Sequence, residues 1–210
     1  MENRLFPIFL KTEQARFLVI GGGHVGLEKI STLIKQNPQM TIHAVSISFL
    51  PEIRTLVEAH SNIALTQREF LEKDLDGADI VIVATNDKRQ NGEIKRLANQ
   101  RNLLVNAADQ PELCDFYLGS IINKGSLKIA ISTNGKSPVL ARRLREYFTE
   151  MIPDSIEDSI ESLHRFRAQH KGSFQQKLKD LNRLTKGLTG RKKPGFLKIM
   201  RLPFSFPVKH

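Results

Sequence analysis

Cysteine is close to absent from this chain: Cys114 is the single one in 210 residues. One thiol excludes an internal disulfide and a cysteine-rich metal site, and it suits a reducing compartment, so a cytoplasmic location is expected. Long apolar runs are missing as well. No stretch approaches the roughly 20 residues that cross a bilayer. The N-terminal MENRLFPIFLKTEQAR lacks the basic start and apolar stretch of a secretory leader. Neither HExxH, nor a Cys/His cluster, nor a nucleophile elbow occurs. His164 and His170 stand six apart, out of step for a shared helix face, so no dedicated metal site is expected.

Acid is scarce in one region only. Up to residue 136 the basic and acidic side chains nearly balance, at +1, whereas residues 137–210 carry +9 of the formal +10. Such a field favours nucleic acid, an anionic membrane surface or a polyanionic small molecule. From Lys186 to His210 there are seven Lys/Arg, three prolines and no Asp/Glu. Residues 191–206, RKKPGFLKIMRLPFSF, mix basic and apolar side chains in a way compatible with lipid or single-stranded nucleic acid, but a solvated extension is the plainer reading. Neither stable membrane insertion nor nucleic-acid binding is expected.

What the chain does contain is an alternation of short apolar runs with helical patterns over residues 16–106, which implies a parallel sheet with crossover helices. RFLVI (16–20), MTIHAV (40–45), IALT (63–66), DIVIVAT (79–85) and LLVNAA (103–108) read as strands. Helices are expected from about Val25, with Val25, Ile30, Leu33 and Ile34 on one face, over 51–60 behind Pro51, and over 91–101. After Pro111 the rhythm changes to two strand-like runs around NKGS, a hairpin, and then SPVLARRLREYFTEMI (137–152), a helix capped by Ser137 and stopped by Pro153. Two further helical patterns follow at 154–170 and 173–186. The expected organisation is a Rossmann-type α/β domain (1–112), a hairpin and helix (113–152), a small helical C-terminal domain (153–186) and the basic tail (187–210).

Gly21-x-Gly23-x-x-Gly26 joins the first strand to the first helix, the context in which this spacing binds a dinucleotide. Gly21 permits the tight turn, Gly23 lets the backbone approach a pyrophosphate, and Gly26 lets helix and strand pack closely. Gly22, His24 and Val25 complete the turn, where unpaired N–H groups face the phosphates. An acid about 20 residues on, at the end of the second strand, normally holds the adenosine ribose. Here that position reads AVSIS, so Val45 and Ser46 are the expected contacts. The missing acid weakens the case for NAD over NADP, but no arginine stands in the stretch to favour a 2′-phosphate, and NAD is the expected cofactor.

Four segments together resemble the precorrin-2 dehydrogenases of sirohaem synthesis, including the N-terminal half of multifunctional sirohaem synthases. They are PIFL (7–10), VIGGGHVGLEK (19–29), NAADQPELCDF (106–116) and ISTNGKSPVLARRLRE (131–146). The resemblance is close over about residues 5–150 and stops before the tail; the family often has alanine where Gly26 stands. It implies NAD-dependent oxidation of precorrin-2 to sirohydrochlorin, in some members followed by insertion of ferrous iron. It also implies a homodimer whose hairpin and helices exchange contacts between subunits, hence a dimerisation role for 113–152. The substrate is a reduced tetrapyrrole with eight carboxylates, which gives the basic last third a purpose.

Asp109 falls just past the fifth strand, at the sheet edge where ligands of such folds bind. By resemblance it belongs to the segment implicated in dehydrogenation and, where present, chelation. A carboxylate partly sheltered from water can take the proton that leaves with a hydride, or guide Fe²⁺. The plainer role is a turn initiator before Pro111. Thr85, Asn86 and Asp87 are expected beside the nicotinamide, and Asn106 is expected to orient Asp109 or bond the carboxamide. Ser132, Thr133, Asn134, Gly135, Lys136 and Ser137 form the candidate loop for substrate carboxylates, with Arg142 on the rim; a helix cap and a solvated face are the alternatives. A regulatory module that senses NAD without turnover is the competing reading of the whole.

Overall fold

The computed structural model describes residues 3–186; the basic tail lies outside the described residues. Five parallel strands, β1 (Arg16–Ile20), β2 (Thr41–Ser46), β3 (Ile63–Gln67), β4 (Ile80–Val83) and β5 (Leu104–Ala107), form one sheet in the order β3-β2-β1-β4-β5. The chain winds outward one way from β1, then returns to lay β4 on its other side. The order therefore reverses between β1 and β4, and the crevice at the carboxyl ends of these two strands is where open α/β sheets bind ligands. Helices α1 (His24–Gln36), α2 (Pro51–Glu58) and α3 (Lys88–Gln100) make the crossovers.

Both faces of the sheet are buried, which explains the near-continuous apolar strands. Phe17, Val19, Ile42, Ala44, Ile80 and Ile82 pack on one side with Ile30, Leu33 and Ile34 of α1 and Ile53 of α2. Leu18, Ile20, Val81, Val83 and Val105 face the other way, against Ile94, Leu97 and Ala98 of α3. On α1 the buried face begins at Gly26, with Val25 half-exposed beside it. Helix α3 starts three residues earlier than expected, because Asp87 caps it by accepting from the Arg89 and Gln90 N–H groups at 2.9 and 3.0 Å.

A hairpin, β6 (Ser120–Lys124) and β7 (Leu127–Ile131), turns at Gly125, whose φ is +58°. It is followed by α4 (Pro138–Met151), capped as expected by Ser137, whose Oγ accepts from Leu140 N–H at 3.2 Å. The described chain divides into two compact units: residues 3–122 with 129–150, and residues 123–128 with the described residues from 151 onward. In the second, α5 (Ile156–Gln169) is stitched to the hairpin tip by Glu157, which accepts from Ser126 N–H and Oγ. Helix α6 (Phe174–Thr185) is tied back through His170, whose Nε2 lies 3.0 Å from Asp180 Oδ2. No described helix is long and apolar enough to cross a membrane.

Candidate functional site

The glycine-rich turn is built by close approaches that admit no side chain. Gly21 has φ +120°, and a Cβ on it would lie 2.3 Å from the Ala84 carbonyl oxygen of the neighbouring strand end. A Cβ on Gly22 would meet Ser48 O at 2.2 Å, and one on Gly26 would meet Gly21 O at 2.1 Å. Gly23 differs: a Cβ there would meet nothing within 4 Å, and its φ of −85° suits any residue. Among the described residues nothing requires glycine at position 23. A ligand pressed against the backbone there does, so the residues fit a bound dinucleotide pyrophosphate.

The N-terminus of α1 agrees. Gly23 is its cap, no side chain caps it, and its first turn holds no acid. The leading N–H groups, His24 and Val25 among them, are left to an outside acceptor and carry the positive end of the helix dipole. Beside this turn, Gly21 N–H donates to Val45 O at 3.0 Å and Leu50 N–H to Gly22 O at 3.0 Å, which locks the exit of β2 against it. Val45 is fully buried with its carbonyl engaged, so Ser46 is the member of that pair with a side-chain group at the edge.

At the end of β4, Thr85 is held in place by a polar residue that the sequence reading missed. Asn91, fully buried on α3, accepts from Thr85 Oγ1 at 2.5 Å and donates to Thr85 O at 3.1 Å. Asp87 N–H donates to the same hydroxyl. Thr85 and Asp87 thus shape the turn and the helix start, leaving Asn86 exposed between them.

Asp109 sits two residues past β5, which Ala108 N–H ties to Val83 O at 2.9 Å. Its φ is +57°, a left-handed conformation that aspartate adopts seldom. Of the six aspartates between residues 3 and 150, five accept hydrogen bonds from described groups. Asp74 takes Arg68 and Leu71 N–H, Asp76 takes Arg101, Asp79 takes Arg16, Asp87 caps α3, and Asp115 takes Val105 N–H and Lys95. Asp109 takes none. It does not initiate the turn at Pro111–Leu113, which has no side-chain cap.

Two expectations about this residue are corrected. Asp109 is exposed rather than sheltered, in a left-handed turn where its carboxylate meets no described donor. Asn106 does not orient it: its Nδ2 donates to Phe116 O at 2.8 Å, directing the amide to the returning chain. The loop is instead closed at its base by Cys114, whose Sγ accepts from Ala107 N–H at 3.3 Å and donates toward Ala107 O and Gln110 O. Burial pushes this thiol above its usual pKa.

In the loop before α4, the hydroxyls act locally. Ser132 Oγ accepts from Asn134 N–H, Thr133 Oγ1 from Ser137 N–H, and Ser137 Oγ caps the helix. Asn134 and Gly135 have φ of +55° and +74°, and Gly135 and Lys136 are exposed. Arg142 and Arg143 both reach Glu146, at 2.9 and 2.8 Å, and the two guanidiniums hold that carboxyl below its usual pKa. Among the described residues no group of three or more His, Cys, Asp or Glu can hold a metal ion.

A parallel sheet of order 3-2-1-4-5 with this glycine turn defines a Rossmann nucleotide-binding domain. The NAD(P)-binding family model matches residues 8–120, more than half of the chain, and that of the sirohaem biosynthesis protein central segment matches 124–151. The chain belongs to this NAD(P)-binding family, in the form continued by the sirohaem central segment. It is 40% identical to the siroheme synthase of Thioalkalivibrio sulfidiphilus over 148 residues, which are 70% of this chain and 30% of that protein. It is 35% identical to the siroheme synthase of Vesicomyosocius okutanii over 170 residues, 81% and 36% of the two chains. The chain thus spans about a third of the length of these relatives. Among solved structures, "SirC, precorrin-2 dehydrogenase" shares the fold, with a TM-score of 0.66 at 23% identity over 86% of this chain and 89% of that one.

Proposed function

We propose that the chain oxidises precorrin-2 to sirohydrochlorin with a nicotinamide dinucleotide bound at the Gly21–Gly26 turn. The observation that carries the reading is Asp109, the one aspartate of the sheet unit that accepts no hydrogen bond among the described residues, just past β5 at the carboxyl edge of the sheet that also bears that turn. The reaction removes one hydride and one proton from the macrocycle, and the dinucleotide when bound supplies the hydride acceptor. The chain supplies the rest. Asp109 takes the proton on a carboxylate oxygen, and the macrocycle lying over the exposed loop provides the shelter from water that the loop alone lacks.

Helix α4 presents its N-terminal N–H groups, with Asn134, Gly135 and Lys136 beside them, to substrate carboxylates. Two or more such carboxylates are enough to orient a flat polyanion. A homodimer through 113–152 completes the reading, supported by Val139 and Leu140, which are 71% and 51% exposed on α4. Ferrous iron, where it is inserted, is a second substrate that meets Asp109 after oxidation.

Anaerobic absorbance of the protein with precorrin-2 and NAD⁺, without metal, tests this directly. A sirohydrochlorin spectrum with equimolar NADH, slowed about 10²-fold or more in Asp109→Ala, is expected. Adding Fe²⁺ to the product reads chelation separately. Dinucleotide binding with an unchanged tetrapyrrole sinks the proposal and leaves a regulatory nucleotide-binding module in its place.

A further inference from the structure

The expected ribose acid is absent from the end of β2, and the structure puts a cation there. The register of β2 on β3 sets Ser46 beside Gln67, the last residues of their strands, and their side chains share the sheet face covered by α1 and α2. Arg54, exposed on α2, lays its guanidinium on Gln67 Oε1. An amide carbonyl fixes the guanidinium without neutralising it, and among the described residues no carboxylate pairs with Arg54. The neighbouring Arg68 is by contrast fully engaged, with both Asp74 oxygens at 2.7 and 2.6 Å.

The β2 exit that the register sets beside Gln67 also lies on the turn. Ser46 Cβ stands 3.0 Å and Ser48 O 2.2 Å from where a Cβ on Gly22 would be, so the β2 exit is pressed against the phosphate-binding backbone. Ser46 and Ser48 are accessible at that edge, next to Ile47, which is 68% exposed. In an NAD-selective site an acid here bonds the ribose hydroxyls and repels a 2′-phosphate, whereas hydroxyl donors and an arginine accept one. A phosphate dianion is the ligand that a planar five-donor guanidinium matches best.

Resting on the dinucleotide reading above, we infer that Ser46, Ser48 and Arg54 form a 2′-phosphate subsite, so that this chain binds NADP⁺ as well as NAD⁺. Selectivity is then set by what stands beside Ser46 rather than by the glycine turn.

The test is calorimetric titration of the full chain with NAD⁺ and with NADP⁺ separately, at low and at physiological salt. The wild-type dissociation constants are expected within about fivefold of each other, and Arg54→Ala to raise the NADP⁺/NAD⁺ ratio of constants about tenfold, as loss of one charge-assisted contact does. Added salt should weaken NADP⁺ more than NAD⁺, since the subsite is exposed. Ser46→Asp should raise the same ratio more than Arg54→Ala does, by rebuilding the acid. If NAD⁺ binds and NADP⁺ is weaker by about a hundredfold, or Arg54→Ala weakens both alike, the subsite is refuted while the cofactor reading stands. If neither binds, both readings fall.

Discussion

Two helices begin at the carboxyl edge of the same sheet, and they are finished in opposite ways. Helix α3 is sealed by its own chain: Asp87 accepts from two N–H groups of the first turn and brings a negative charge to the positive end of the dipole. Helix α1 begins at Gly23 with no side-chain cap and no acid in its first turn. The folded chain gains nothing locally from that choice, since an N-cap Asp is worth a few tenths of a kcal/mol more than Gly. The open end makes sense as a place kept for an anion, and the absence of any steric reason for Gly23 points to the same occupant. Function is visible here as a stabilising residue left out.

The comparison breaks most completely at Gly21. Its φ of +120° and a Cβ 2.3 Å from the Ala84 carbonyl oxygen leave no room for a side chain between β1 and β4, so Gly21→Ala is expected to cost about 3 kcal/mol in urea unfolding and to abolish dinucleotide binding with it. Gly23→Asp converts α1 to the design of α3. Its backbone admits the change, so the melting temperature should hold or rise slightly, while a carboxylate at the phosphate position lowers NAD⁺ affinity by about a hundredfold. Lost stability in Gly23→Asp, or retained affinity, would falsify the assignment of that helix end.

The bound aspartates give the next effect. Asp74 is almost buried, and the Arg68 guanidinium, helped by Leu71 N–H, holds its carboxyl below the usual range. A folded pKa depressed below the unfolded value, about 3.9, contributes stability that is complete above pH 4 and lost as pH falls through the folded value. Asp74→Asn should therefore cost about 2 kcal/mol at pH 7 and flatten the acid limb of stability against pH below 4. Chemical denaturation at pH 7, 5 and 3 reads both.

How much of this was legible beforehand follows from range of interaction. The five strands, the glycine turn and the Ser137 cap depend on residues within a few positions of one another, and all stand where the sequence placed them. The sequence pattern starts helix α3 at residue 91 because Asn86 to Gln90 carry no apolar period; only the cap geometry of Asp87 shows that the helix starts at 88. Asn91 was invisible for the same reason, since a polar residue reads as surface until Thr85 is brought against it. At the site, Asp109 was found by position, but its exposure and its lack of partners depend on where Cys114 and Phe116 return. Arg54 is not legible in the sequence as part of this edge, because it follows Ser46 by eight residues and meets the β2 edge only through Gln67.

The smallest effect is the most discriminating. Asp87 was expected beside the nicotinamide, yet its carboxylate is committed to Arg89 and Gln90 N–H. A cap of this kind is worth about 1 kcal/mol, so Asp87→Ala should lower stability by that amount in urea. If capping is all it does, Asp87→Asn, which keeps an acceptor oxygen, restores most of the loss, and NADH affinity stays within about twofold in both variants. A drop in affinity that Asn does not rescue would mean that the carboxylate also faces the cofactor. The two helix ends would then share one ligand field, with α3 contributing charge as well as structure, rather than dividing the tasks of binding and holding between them.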